Sequence, residues 1–259
     1  MRPGCQLDHH GHDIHVVFFK RILNFNPQSA DQREKRHHNR YDLPSGSPIQ
    51  CSITHGTQNL SCSINNLSSN GASLVVKPDV SLRKGDTIKV TLKLESQSLT
   101  TAANIVHTRT TNSDLTVGLV FEFADFEARK AYLQLLEPVS IGVSLSNRPV
   151  PSRDTEPGYD TICFHGINKT LLTVWRDQEH MAITGFEFRM NDYYVRNGKE
   201  PHKLAIYVSA PESSSLYDGV ELKRTDLETA EVRQLYRWTV AHLNPALPTE
   251  VRELMQHYT

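Results

Sequence analysis

From Pro48 onward the chain settles into alternating polarity. Ile49, Cys51 and Ile53 are separated by polar residues, and Leu60, Cys62 and Ile64 repeat the pattern. Ile88, Val90, Leu92 and Leu94 follow, then Val117, Leu119, Phe121 and Phe123. A period of two puts the apolar residues of each run on one face of a half-buried strand. Gly56, Asn70-Gly71, Lys84-Gly85-Asp86 and Asn112-Ser113-Asp114 separate the runs with turn chemistry. Short strands at this density predict an antiparallel barrel or sandwich. Asp125 then stands where it can cap a helix carrying Phe126, Leu133 and Leu136.

The flanks follow other rules. Ile14, Val17, Phe18, Ile22 and Phe25 recur at helical spacing, with Lys20 and Arg21 beside the stripe. They predict a short amphipathic helix packed on its own protein and ended by Asn26-Pro27. Residues 28–47 are polar, basic and then rich in Pro and Gly, which is loop composition. Pro149, Pro151 and Pro157 mark a linker. After it, Ile162 and Phe164, Leu172 and Val174, Phe186, Phe188 and Met190, and Leu204, Ile206 and Val208 predict four strands. Asn191-Asp192 suits a hairpin turn between two of these segments. Thr225-x-x-Glu228 is a capping box for a helix with Val232, Leu235, Tyr236, Thr239 and Leu243 inward. Thr249 can cap a last helix with Val251, Leu254, Met255 and Tyr258 on one face. The fold class is therefore mainly β, an antiparallel barrel with a terminal helix followed by a smaller α+β domain. The expected boundaries are 1–31 for the N-terminal helix and its linker, 32–140 for the barrel, 141–157 for a linker and 158–259 for an α+β domain of unknown role.

Charge narrows the function. With 28 Lys+Arg against 29 Asp+Glu, the formal charge is −1, so no global polycation exists. Broad DNA or RNA binding is not expected, and any anion site must be local. The four cysteines show no metal-finger spacing and read as reduced, packed thiols of a cytoplasmic protein. No apolar run approaches the roughly 20 residues of a transmembrane helix. Ile14 to Phe19 is too short for a signal-peptide core. His9, His10, His12 and His15 crowd the N-terminus, but no carboxylate or cysteine completes a metal site there, so a solvated tail is expected. Cys163 and His165 share a strand face, where neighbours two apart do not normally meet as nucleophile and base. No nucleophile elbow, zinc-hydrolase helix or Gly-rich phosphate loop appears, so neither an enzyme nor a cofactor is expected.

Two short motifs carry the chemistry. Arg36 and Arg40 are spaced Arg-x-x-x-Arg, and Asn66, Ser68 and Gly71 are spaced Asn-x-Ser-x-x-Gly, 26 residues on. A guanidinium fork can donate two parallel hydrogen bonds to the O6/N7 edge of guanine, stack on a purine or pair with a phosphate. In an extended loop, side chains four residues apart sit about 13 Å apart at Cα, from where long arms converge on one ligand. Lys35 can add phosphate charge, and Arg33 stands further off. Asn66 offers both a donor and an acceptor, Ser68 a hydroxyl, and Gly71 a backbone suited to positive φ or close ligand approach. His37 and His38 fill the free positions of the arginine motif and are expected to be exposed.

In order and spacing, these five residues resemble the two-part signature of PilZ domains, bacterial receptors for cyclic di-GMP, over residues 32–140. The resemblance implies a PilZ-like barrel with a terminal helix and a site at Arg36, Arg40, Asn66, Ser68 and Gly71. Its implied function is a non-enzymatic receptor that turns messenger binding into a changed protein–protein surface for a downstream partner. Two alternatives stay open: a PilZ-fold interaction module that binds no nucleotide, and a nucleotide-gated enzyme in the C-terminal domain.

Overall fold

A computed structural model describes residues 39–77, 81–111, 113–147, 159–197, 204–209, 222–224 and 229–259. The helix expected over 12–25 and the capping box at Thr225 lie outside the described residues, as do Arg33, Lys35 and Arg36. Residues 38–259 form one compact unit.

Seven strands make the first sheet: β1 (Arg40–Asp42), β2 (Gln50–His55), β3 (Gln58–Ser68), β4 (Gly71–Val76), β5 (Thr87–Leu94), β6 (Gln97–Thr110) and β7 (Leu115–Glu122). Their order is β1-β3-β2-β5-β6-β7-β4, and β4 pairs back onto β3, so six strands close an antiparallel barrel. The expected alternation fills it. Ile53, Leu74, Val90, Leu92, Leu94 and Val117 are fully buried inside. β1 lies outside the ring and follows β2 along the same edge of β3, as the pairings of β3 require. Arg40 is therefore on a strand, where the sequence predicted loop, because three backbone positions of β1 find partners on β3.

Helix α1 (Phe126–Ser144) follows the barrel. Asp125 caps it as expected, its Oδ1 accepting from the Ala128 N–H at 2.8 Å. The buried stripe is Tyr132, Leu135, Leu136 and Val139, at i, i+3, i+4 and i+7. Phe126, at the start of the helix, falls off that stripe and is 55% exposed. Pro138 lies within α1 and cannot donate to the helical ladder. The linker expected over 141–157 thus begins inside this helix.

Beyond α1 a second seven-stranded sheet meanders in strict sequence order: β8 (Ser146–Asn147), β9 (Tyr159–His165), β10 (Leu171–Asp177), β11 (Ile183–Met190), β12 (Tyr193–Asn197), β13 (Leu204–Ser209) and β14 (Leu222–Arg224). Four strands were expected. β12 escaped because Tyr193, Tyr194 and Val195 are all buried, so it shows no alternation, while β8 and β14 are too short to carry a period. Asn191-Asp192 does turn a hairpin, between β11 and β12. Helices α2 (Thr229–Val240) and α3 (Thr249–Gln256) cover one face, with Tyr236 stacked on Phe186 and Tyr258 edge-on to the same ring. The expected inward residues Val232, Leu235, Tyr236, Thr239 and Leu243 are all buried. Pro248, not Thr249, precedes the last helix, and the Thr249 hydroxyl accepts from Arg252 at 3.1 Å.

α1 joins the two sheets. Trp238 of α2 belongs to the same apolar cluster as the barrel core. At Gly142 a Cβ would stand 2.6 Å from the Thr239 carbonyl oxygen and 2.7 Å from that of His242, so only glycine permits this approach. His242 donates from Nδ1 to the Trp238 carbonyl at 2.7 Å, which leaves Nε2 to accept the Ser47 hydroxyl at 2.9 Å. Burial lowers its pKa and favours this neutral form.

Candidate functional site

The site rests on a change of frame in β3. Leu60, Cys62 and Ile64 pack against the barrel core, so continued alternation would turn Asn66 and Ser68 inward. Instead the register slips between Ile64 and Asn66, leaving Asn65 as an extra residue. Leu67 becomes the fully buried position, and Asn66 and Ser68 turn outward. The carbonyl of Asn65 accepts the Leu43 N–H at 2.9 Å, which ties the bulge to the chain leaving β1.

Pairing then assembles residues distant in sequence. Arg40 stands across from Ser68, and Ser68 from Gly71. Asp42 stands across from Asn66, and Asn66 from Ser73. Neighbouring strands lie about 4.8 Å apart, so the rung from Arg40 to Gly71 spans roughly 10 Å. On the first rung Val120 and Asn104 continue the row onto β7 and β6, and His107 ends the second. Tyr41 is buried, which points exposed Arg40 and Asp42 outward on the same face. Four candidate residues thus share two adjacent rungs, and Arg40 is the one guanidinium on them.

Each described candidate has a distinct local state. Asn66 is half-buried and makes no side-chain hydrogen bond among the described residues, so its amide is open to a ligand. Ser68 donates its single hydroxyl proton to the Gly71 carbonyl at 3.2 Å, so it must rotate before it can donate to a phosphate. Gly71 opens β4 and does not adopt positive φ. A Cβ there would lie 2.0 Å from the Leu119 carbonyl oxygen, so barrel closure itself demands glycine. The expectation was positive φ or close approach of a ligand; the group that closes on Gly71 here is the protein's own backbone.

Sequence reasoning missed Tyr132. Its buried hydroxyl donates to the Ser68 carbonyl at 2.5 Å, with the Gly71 carbonyl at 3.5 Å. Burial raises the phenol well beyond its ordinary pKa, so it remains a donor. Phe121 and Phe123 pack on the ring at centroid distances of 4.9 and 5.3 Å. Tyr132 therefore bolts α1 to the β3–β4 turn. Its only signal in the sequence was a place on a helical stripe.

Elsewhere the candidate chemistry is plain. Cys163 Sγ lies 3.9 Å from Thr173 Oγ1, and burial raises its pKa, the opposite of thiol activation. Among the described residues no group of three or more His, Cys, Asp or Glu could hold a metal. No described helix is long and apolar enough to cross a membrane.

Comparison with known proteins gives the family. The family model described as PilZ domain matches residues 34–137. No curated protein matches the chain. Among solved structures, the PilZ domain with c-di-GMP of YcgR from Escherichia coli is similar at 13% identity and a TM-score of 0.33, covering 38% of this chain and 85% of that one. The MrkH–c-di-GMP complex from K. pneumonia is 18% identical with a TM-score of 0.36, covering 40% of this chain and 50% of that one. The Bacillus subtilis inhibitor of motility MotI/DgrA is 15% identical with a TM-score of 0.33, covering 39% and 49%. The chain thus spans about half the length of the last two. The family rests on the matched model together with the closed six-strand barrel: residues 34–137 are a PilZ domain.

Proposed function

We propose that the barrel is a receptor for cyclic di-GMP, gripped on its outer face by Arg36, Arg40, Asn66, Ser68 and Gly71, with Lys35 and Arg33 adding phosphate charge. One observation carries the reading: strand register gathers Arg40, Ser68 and Gly71 onto one rung and Asn66 onto the next, from motifs 26 residues apart. The ligand has two guanines and two phosphates, so it needs base-edge forks and local positive charge together. Arginine supplies both. The unengaged amide of Asn66 can meet a base or sugar edge as donor and acceptor at once.

The receptor has no catalytic role in this reading, and its output is a changed surface. The barrel, 32–140, receives the ligand, and residues 158–259 respond through the joint at 141–157. Tyr132 supports that route, because any shift of the β3–β4 turn pulls on α1 through its hydroxyl. Further along α1, Glu137 accepts from the Asn191 side chain at 2.8 Å, at the β11–β12 hairpin. A downstream protein partner then meets a rearranged second sheet.

Calorimetric titration of the full chain with cyclic di-GMP tests this, with cyclic di-AMP and GTP as controls. Arg36→Ala and Arg40→Ala each remove a desolvated charged contact worth about 2–5 kcal/mol, a loss of roughly 30-fold to several thousand-fold in affinity. Asn66→Ala removes a neutral hydrogen bond and costs about 0.5–1.5 kcal/mol. Unchanged affinity in both arginine variants removes the site.

A further inference from the structure

The barrel also holds a pair of opposed cysteines, one of them on the strand of the proposed site and upstream of its bulge. Cys51 of β2 and Cys62 of β3 are directly opposed in register, flanked by the pairs Ser52–Ser61 and Ile53–Leu60. Both are free thiols, and their sulfurs stand 2.9 Å apart. Directly opposed residues of an antiparallel pair have Cα atoms about 4.5–5.5 Å apart. A disulfide closes over Cα separations of about 4.4–6.8 Å, so the backbone already meets its requirement. Cys51 is 7% exposed and packs into the barrel core, whereas Cys62 is half-buried at its margin. The two sulfurs are therefore unequal in access: a small solute reaches Cys62 first.

We propose that Cys51 and Cys62 form a two-electron redox pair that hydrogen peroxide converts into a cross-strand disulfide. The Cys62 thiolate sulfur attacks one peroxide oxygen and the O–O bond breaks, leaving Cys62 sulfenic acid and a hydroxide that takes up a proton as water. The Cys51 sulfur then loses its proton and attacks the Cys62 sulfur. The S–O bond breaks, and the departing hydroxide leaves as a second water. Two thiols are oxidised, one peroxide is reduced, and two waters account for every oxygen and proton. The hydrogen bond from the Cys62 thiol, and then burial, raise the Cys51 pKa, consistent with Cys51 waiting as the resolving thiol. The bond pins β2 to β3 upstream of the bulge at Asn65, so it fixes the strand from which Asn66 and Ser68 project. It stands whether or not the barrel binds a nucleotide.

The test oxidises the reduced full chain with a small molar excess of peroxide, alkylates the remaining thiols and maps tryptic peptides by mass. No Lys or Arg lies between Cys51 and Cys62, so one peptide carries both sulfurs. The expected product is that peptide two hydrogens lighter and unalkylated, with dithiothreitol restoring two alkylation sites, while Cys163 remains alkylated. In Cys51→Ser the resolving thiol is gone, and Cys62 should advance to sulfinic acid. Three results overturn the proposal: both sulfurs still alkylated at a dose that oxidises Cys163, sulfinic acid at Cys62 in the unaltered chain, or a disulfide joining two copies of the peptide. The wild-type map decides the matter even if the variant fails to fold.

Discussion

Replacing Gly71 with alanine places a methyl group where the barrel closes on itself. Its Cβ would sit 2.0 Å from the Leu119 carbonyl oxygen and 3.1 Å from the carbonyl carbon. Contacts under 3.0 Å are essentially never adopted by real Cβ atoms, so β4 and β7 must part by about 1 Å. The neighbour is backbone, which cannot swing aside. Parting the strands also strains the Phe121 N–H bond to the Asn70 carbonyl, now 2.8 Å. Overpacking costs about 1–3 kcal/mol and a weakened hydrogen bond about 1 more, giving roughly 2–4 kcal/mol in all. At about 2–4 °C per kcal/mol for a unit of this size, the melting midpoint should fall by roughly 4–16 °C. Thermal and urea denaturation without ligand measure it. A Gly71→Ala chain that melts like wild type yet loses cyclic di-GMP binding would refute the reasoning and return this glycine to the ligand.

Two further outcomes follow from buried groups on α1. Tyr132→Phe leaves the Ser68 carbonyl without its buried donor, at a cost of about 1–3 kcal/mol, and should speed amide exchange across residues 68–71. Unchanged exchange there breaks the proposed route from the turn to α1. Burial raises Glu137 from 4.5 to about 7, only partly offset by the Asn191 hydrogen bond. The fold therefore favours the neutral acid. Stability is full below the unfolded value of 4.5 and declines as pH climbs through about 7, by roughly 3 kcal/mol in total. Glu137→Gln stays neutral at every pH, so it should match wild type near pH 5 and exceed it near pH 8 in urea titrations. Parallel pH profiles for the two proteins would rule this out.

The barrel was legible because its strands are half-buried, and alternation is what half-burial writes into a sequence. β5 shows it most plainly, with Ile88, Val90, Leu92 and Leu94 all inward. β12 was not legible, since burial on both faces erases the period. The Asp125 cap was readable from one residue, whereas hydrophobicity alone did not say which of Phe126, Leu133 and Leu136 would meet the barrel. For the candidate site, motif spacing suggested residues but not their geometry. β1 is three residues long, and no local signal distinguishes such a strand from a loop. The outward turn of Asn66 and Ser68 did leave a trace: the apolar spacing lengthens from two to three between Ile64 and Leu67. Tyr132 was invisible as a site residue, because its role depends on a contact 64 positions away.

The frame change at Asn65 divides β3 into two stretches with opposite parity. Before it, even-numbered positions answer to packing; after it, they answer to whatever the surface must recognise. Side chains at 66 and 68 can therefore be exchanged while the interior keeps its shape. Excising Asn65 would instead join the stretches into one regular alternation, with Leu67 still inward and Asn66 still outward, and would remove the carbonyl to which the Leu43 N–H is tied.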